Sequence, residues 1–135
     1  MKKMLIECVD AYLAANGLME VEWDYPSAYA LTRLRRALQP HADFFIQEEN
    51  KLTRQYGQKD REGQVCFTQR GTFLFEDPAQ AGEYNAKRQA LGAVEVELDW
   101  EEKALPSPER IRPAQIEALE GFIRFSGEGE QEAAT

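Results

Sequence analysis

Residues 24–57, DYPSAYALTRLRRALQPHADFFIQEENKLTRQYG, decide the fold. Proline at position 26 favours a first helical turn, where its missing N–H would have no partner in any case. From there Leu31, Leu34, Leu38, Phe45, Leu52 and Tyr56 recur at threes, fours and sevens. That spacing predicts one amphipathic helix of about 30 residues, close to 45 Å long at 1.5 Å per residue. His41 falls on the same stripe, which predicts a core or seam histidine with a hydrogen-bond partner. Pro40 lies mid-helix; it removes one backbone hydrogen bond and predicts a kink near residues 36–40. Gly57 ends the element. So long a stripe exceeds what a small chain can cover, which predicts a homo-oligomer. The alternative is that the first helix and a following hairpin cover it.

Outward from this helix, Leu5, Cys8, Val9, Tyr12 and Leu13 mark one face of a helix over residues 5–15, ended by Asn16-Gly17. Residues 18–23 alternate apolar and acidic, as in a half-buried strand or an extended linker. A polar loop occupies residues 57–64. The runs on either side of Gln69-Arg70-Gly71 predict a hairpin. Asp77-Pro78 predicts a helix start, running to Leu91 and stopping at Gly92. Val94, Val96 and Leu98 alternate with Glu95, Glu97 and Asp99, the pattern of an amphipathic strand. A proline-rich stretch at residues 105–113 precedes a short helix carrying Ile116, Leu119 and Ile123. No internal repeat is evident. The expected class is α+β: one long Pro-kinked helix, shorter helices and a small antiparallel sheet. Residues 1–125 form the expected domain, and residues 126–135 an acidic, disordered tail.

The chain has 135 residues, 43% hydrophobic and 30% charged, a globular balance. Its 24 acidic and 16 basic residues leave a net charge of −8, which disfavours nucleic acid and anionic membrane as partners. No apolar run is long enough for a membrane span. Cys8 and Cys66 sit in apolar surroundings and are expected to be free, buried thiols. With one histidine and two distant cysteines, no zinc site of the usual type is expected. Neither a nucleophile elbow nor a glycine-rich phosphate loop is present. No cofactor and no catalytic group are therefore expected; only carboxylates remain for an enzyme or a metal.

Certain segments carry a resemblance. The long helix runs into Leu52-Thr53-Arg54-Gln55-Tyr56-Gly57-Gln58-Lys59-Asp60-Arg61-Glu62-Gly63, and the chain closes with Ile111-Arg112-Pro113-Ala114-Gln115-Ile116-Glu117-Ala118-Leu119-Glu120-Gly121-Phe122-Ile123. Across residues 4–123 this resembles a family of small phage and prophage proteins of unknown function. Its members carry a "KYGxKDExG"-like turn and an "ISPxDLxxLEPFI"-like C-terminal segment. This sequence departs from it at Gln55, Gln58 and Gly121. The resemblance implies a viral origin and action in the host cytoplasm, and no activity.

Four features are candidates for function. Residues 32–61 hold seven basic and four acidic side chains and sum to +3, against −11 elsewhere. Arg33 and Arg36 lie three apart on one helix face, one turn after Tyr29. Guanidinium forks bind phosphate and a tyrosine stacks on a base, so Tyr29, Arg33 and Arg36 form the candidate ligand site. The plain alternative is a solvated face, or pairing with Glu95 and Glu97. The loop Lys59-Asp60-Arg61-Glu62 reads as a turn, or as a lid over a pocket. The sets Glu20/Glu22/Asp24 and Glu95/Glu97/Asp99/Glu101/Glu102 read as solvated faces, or as oxygen ligands for a divalent cation. Trp23, Tyr25, Tyr29 and Trp100 read as half-buried core, or as a contact patch. Phages encode compact oligomers that hold nucleotide messengers of host defence, similar to this chain in size and α+β make-up. The expected function is thus a non-catalytic binding protein for a phosphorylated nucleotide-type signal. The alternative is a protein–protein interaction module, either a virion or assembly accessory or a binder of one host protein.

Overall fold

The computed structural model describes residues 1–126. Strand β1 (Lys2–Met4) leads directly into helix α1 (Leu5–Gly17), and α2 spans Tyr25–Tyr56. A 3-10 turn at Pro78–Gln80 precedes α3 (Ala81–Gly92). Then follow β2 (Glu95–Glu97), β3 (Lys103–Pro106), α4 (Pro113–Leu119) and β4 (Ile123–Ser126). The class is α+β, as the sequence predicts. Its strands form two separate pairs: β1 with β2 antiparallel, and β3 with β4 parallel. The parallel pair was not legible because β3 runs into a proline-rich stretch and β4 follows a helix of only seven residues. Ile123, expected in the last helix, and Ser126, expected in the tail, both belong to β4. The rest of the expected tail, residues 127–135, lies outside the described residues.

Helix α2 starts where the chemistry places it. The Asp24 carboxylate accepts a hydrogen bond from the Ser27 N–H at 2.9 Å, and Pro26 sits in the first turn. This bond holds the Asp24 carboxyl below its ordinary range. At the far end the Gly57 N–H donates to the Thr53 carbonyl at 2.7 Å. The helix runs unbroken through Pro40. Its stripe is covered within one chain. Leu31, Leu34, Leu38 and Phe45 join a core with Leu5, Cys8, Ala11, Ala15, Leu119 and Phe122. Tyr56 anchors a second, aromatic cluster, meeting Tyr84 edge-on at 6.0 Å, while Phe73 and Phe75 lie 4.9 and 5.5 Å from Tyr84. The stripe therefore supplies no uncovered face to a second copy, and the expectation of a homo-oligomer loses that ground. His41 is half-buried and, contrary to expectation, holds no hydrogen bond to any described residue.

The buried face of α1 is turned toward Ala11, Ala14 and Ala15, leaving Leu13 58% exposed although the pattern placed it inside. Residues 18–24 form a turn and linker rather than a strand. The Trp23 indole N–H donates to the Leu18 carbonyl at 3.1 Å and holds that linker against the core. Cys8 is buried, which pushes its thiol up, whereas Cys66 is only half-buried.

The segment after α2 repeats every eight residues. Gln58 N–H donates to Leu74, Leu74 N–H to Cys66, and Cys66 N–H to Gln58, at 2.7–2.9 Å, closing a ring of three short segments. Turns at residues 60–64 and 68–72 join them, each with a glycine at positive φ: Gly63 at 82° and Gly71 at 83°. The expected hairpin about Gln69-Arg70-Gly71 is one side of this ring, paired through the isolated Phe67–Phe73 bridge. Only Gly63/Gly71 and Phe67/Phe75 recur as identities at that spacing, too few to mark a repeat in the sequence.

Two outcomes follow from this packing. Leu34→Ala, at a fully buried position, lowers the unfolding free energy by about 2–5 kcal/mol in urea denaturation. Because the folded-state pKa of Asp24 is depressed, its cap contributes fully above the unfolded carboxylate pKa and is lost as pH falls through the folded value. The stability difference between wild type and Asp24→Ala, measured by thermal melts across that range, shrinks with acidification.

Candidate functional site

At 100° per residue, Tyr25, Tyr29, Arg33 and Arg36 fall within about 80° of arc on α2, on the side opposite the buried leucines. All four are exposed. Tyr25 and Tyr29 are stacked, with centroids 6.2 Å apart and ring planes 15° from parallel. The Arg33 guanidinium lies 5.8 Å from the Tyr29 ring centre, on the next turn. Ring, ring and guanidinium thus follow one another along a helix ridge. With Ala28, Thr32 and Arg36 these residues line an open hollow of about 650 Å³. The structure brings Tyr29, Arg33 and Arg36 together, and adds Tyr25. The sequence reading set Tyr25 among the aromatics but not in the site, although its i, i+4 spacing to Tyr29 was the available signal.

Arg35 is of a different kind. Its phase turns it toward α1, where its Nε–H donates to the Asn16 side-chain oxygen at 2.5 Å and its guanidinium lies 5.7 Å from the Tyr12 ring centre. It is a fastener between two helices. Arg33 and Arg36 hold no ion pair with any described residue. The expected pairing with acidic strands does not occur: Glu95 faces Lys2 and Glu97 faces the N-terminal amine, each at 3.6 Å. Two guanidinia therefore stand in solvent without a carboxylate, on a chain with net charge −8.

The remaining candidates resolve into structure. Asp60 accepts hydrogen bonds from the N–H groups of Glu62 and Gln64 at 2.9 and 3.0 Å, so its loop is an Asx-type turn. Of the acidic sets, Asp24 is a helix cap, and among the described residues no three His, Cys, Asp or Glu side chains gather to hold a metal. The aromatics divide. Trp100 is buried, with its indole N–H on the Phe122 carbonyl at 2.9 Å, whereas Tyr25 is 80% exposed. Among the described residues no helix is long and apolar enough to cross a membrane.

What the ridge can do chemically follows from its parts. Aromatic faces accept a planar base or ring, and guanidinia without an ion pair donate in pairs to phosphate oxygens. No family model matches the chain, and neither a curated protein nor a solved structure matches it.

The division among the arginines has a direct consequence for stability. Arg33→Ala and Arg36→Ala change the unfolding free energy by no more than about 0.5 kcal/mol. Arg35→Ala lowers it by about 1 kcal/mol through loss of the Asn16 hydrogen bond and the Tyr12 packing. Urea denaturation of the three variants measures the difference.

Proposed function

We propose that the protein is a non-catalytic binding protein, phage-encoded and acting in the host cytoplasm, that takes up a phosphorylated nucleotide-type ligand on the outer face of α2. Arg33 and Arg36 clasp the phosphate, and Tyr29, backed by Tyr25, carries the ring. One observation carries the reading: among the described residues both guanidinia form no ion pair, although the chain is rich in acidic side chains. A stability role would have paired them, and a merely solvated face does not require two stacked tyrosines beside them. Sequestration of a host-defence messenger is the biological form of this reading, in keeping with the likeness to small phage proteins.

One observation favours a second reading, a protein-interaction module. Tyrosine and arginine are the residue types that dominate binding energy at protein interfaces, and Tyr25 is 80% exposed on this ridge. The apolar stripe no longer motivates that reading, nor an oligomer, because it is covered within the chain.

Isothermal titration with nucleoside monophosphates, nucleoside diphosphates and cyclic dinucleotides separates the two. The first reading expects binding by at least one of them, weakened more than tenfold in Arg33→Ala/Arg36→Ala, since charge-assisted hydrogen bonds are lost. Equal binding by the folded double variant contradicts it. No binding by any nucleotide, with a protein partner that Tyr25→Ala releases, supports the second.

A further inference from the structure

Tyr29 and Arg33 are walls of two hollows at once. On one side lies the cationic hollow with Thr32 and Arg36. On the other, the same two side chains, with Ala30, face the extended segment between β2 and β3. There Asp99, Trp100, Glu101 and Lys103 complete a hollow of about 370 Å³. Trp100 is buried and its indole N–H is already used, so it gives only a wall. Asp99 and Glu101 flank it in sequence, are exposed, and hold no hydrogen bond or ion pair with any described residue. Lys103 offsets one of their two negative charges, and Arg33 is shared with the first hollow.

This arrangement is asymmetric in hydrogen-bonding character. The first hollow offers donors of fixed positive charge. The second offers carboxylates, which are acceptors only when ionised. We propose that the ligand is a guanine nucleotide, with phosphate on Arg33 and Arg36, ring against Tyr29, and the base edge turned to Asp99 and Glu101. The proposal rests on the phosphate site described above and names its ligand. Guanine presents two adjacent donors, N1–H and the 2-amino group, to a carboxylate. Adenine presents at the same edge an N1 lone pair, which a carboxylate repels. Hypoxanthine keeps N1–H and lacks the 2-amino group. Because Asp99 and Glu101 line only the second hollow and Arg36 only the first, base choice and phosphate binding are separable.

The test uses the full chain and three defined probes: GMP, IMP and AMP, titrated by calorimetry. The expected order of affinity is GMP, IMP, AMP, with GMP at least about tenfold tighter than AMP, as for a good two-point base contact. In Asp99→Asn/Glu101→Gln the three probes bind within about twofold of one another. Both positions are exposed, and circular dichroism verifies that the variant folds. Three results overturn the proposal. One is wild-type GMP and AMP affinities within about twofold, both lost in Arg33→Ala/Arg36→Ala, which leaves the phosphate site standing without base choice. Another is a GMP preference that survives Asp99→Asn/Glu101→Gln. The last is no binding by any probe or other nucleotide, which removes the phosphate site as well.

Discussion

Burial of one face of α2 along its whole length is the constraint on which the rest depends. A helix of 32 residues in a chain of 135 has few ways to hide its leucines. This one is served in two halves. The first packs on α1, which in turn packs on α4, within the main core, and the second on α3 and the three-segment ring through a cluster of aromatic rings. Each fully buried leucine contributes about 1.5–3 kcal/mol relative to exposure, so the helix cannot rotate about its axis without large loss. Fixing the inner face fixes the outer one. Tyr25, Tyr29, Arg33 and Arg36 are held facing water by leucines on the other side of the same helix.

The arginines of α2 show how phase decides role. Arg33, Arg35 and Arg36 are near neighbours in sequence, and composition alone makes them one basic cluster. The helical period splits them. Arg35 spends its guanidinium on Asn16 and Tyr12, between two helices. Arg33 and Arg36 are left without acidic partners, while acids elsewhere are engaged: Glu49 with Arg88 at 2.7 Å, Glu48 with Lys51 at 2.9 Å, and Glu83 with the Tyr56 hydroxyl at 2.9 Å. A local positive ridge on a net-negative chain suits the proposed binding of one specific anion better than a polyanion, which the field of the whole molecule repels.

Much of this was legible in the sequence. The start of α2 at Asp24 and Pro26, its stripe, its end at Gly57, the Asp77-Pro78 turn and the β2 alternation all follow from local chemistry, and local chemistry wrote them. The site residues Tyr29, Arg33 and Arg36 were legible for the same reason, being neighbours on one helix. What was hidden is non-local. The pairing of β3 with β4 joins residues about twenty apart across a proline-rich stretch. The eightfold spacing of the ring lies in turn geometry more than in repeated residues. The alanines of α1 carry little hydrophobic signal, so the buried face of that helix was read a little off, and Leu13 was misplaced. Coverage of the α2 stripe by the aromatic cluster was likewise unreadable, because it brings together Tyr56, Phe73, Phe75 and Tyr84 from three elements. Asp99 and Glu101 read as a solvated strand face; only the fold sets them beside Arg33.

The central claim is that the outer face of α2 is a phosphate site built from Arg33 and Arg36 and not from Arg35. Side-chain Nε–H resonances of arginine, followed by NMR as a nucleoside monophosphate is added, report on each guanidinium separately. The account predicts that the Arg33 and Arg36 signals move together and saturate, while the Arg35 signal, held by Asn16, stays in place. Movement of all arginine signals in proportion to ionic strength, or of none, would contradict it.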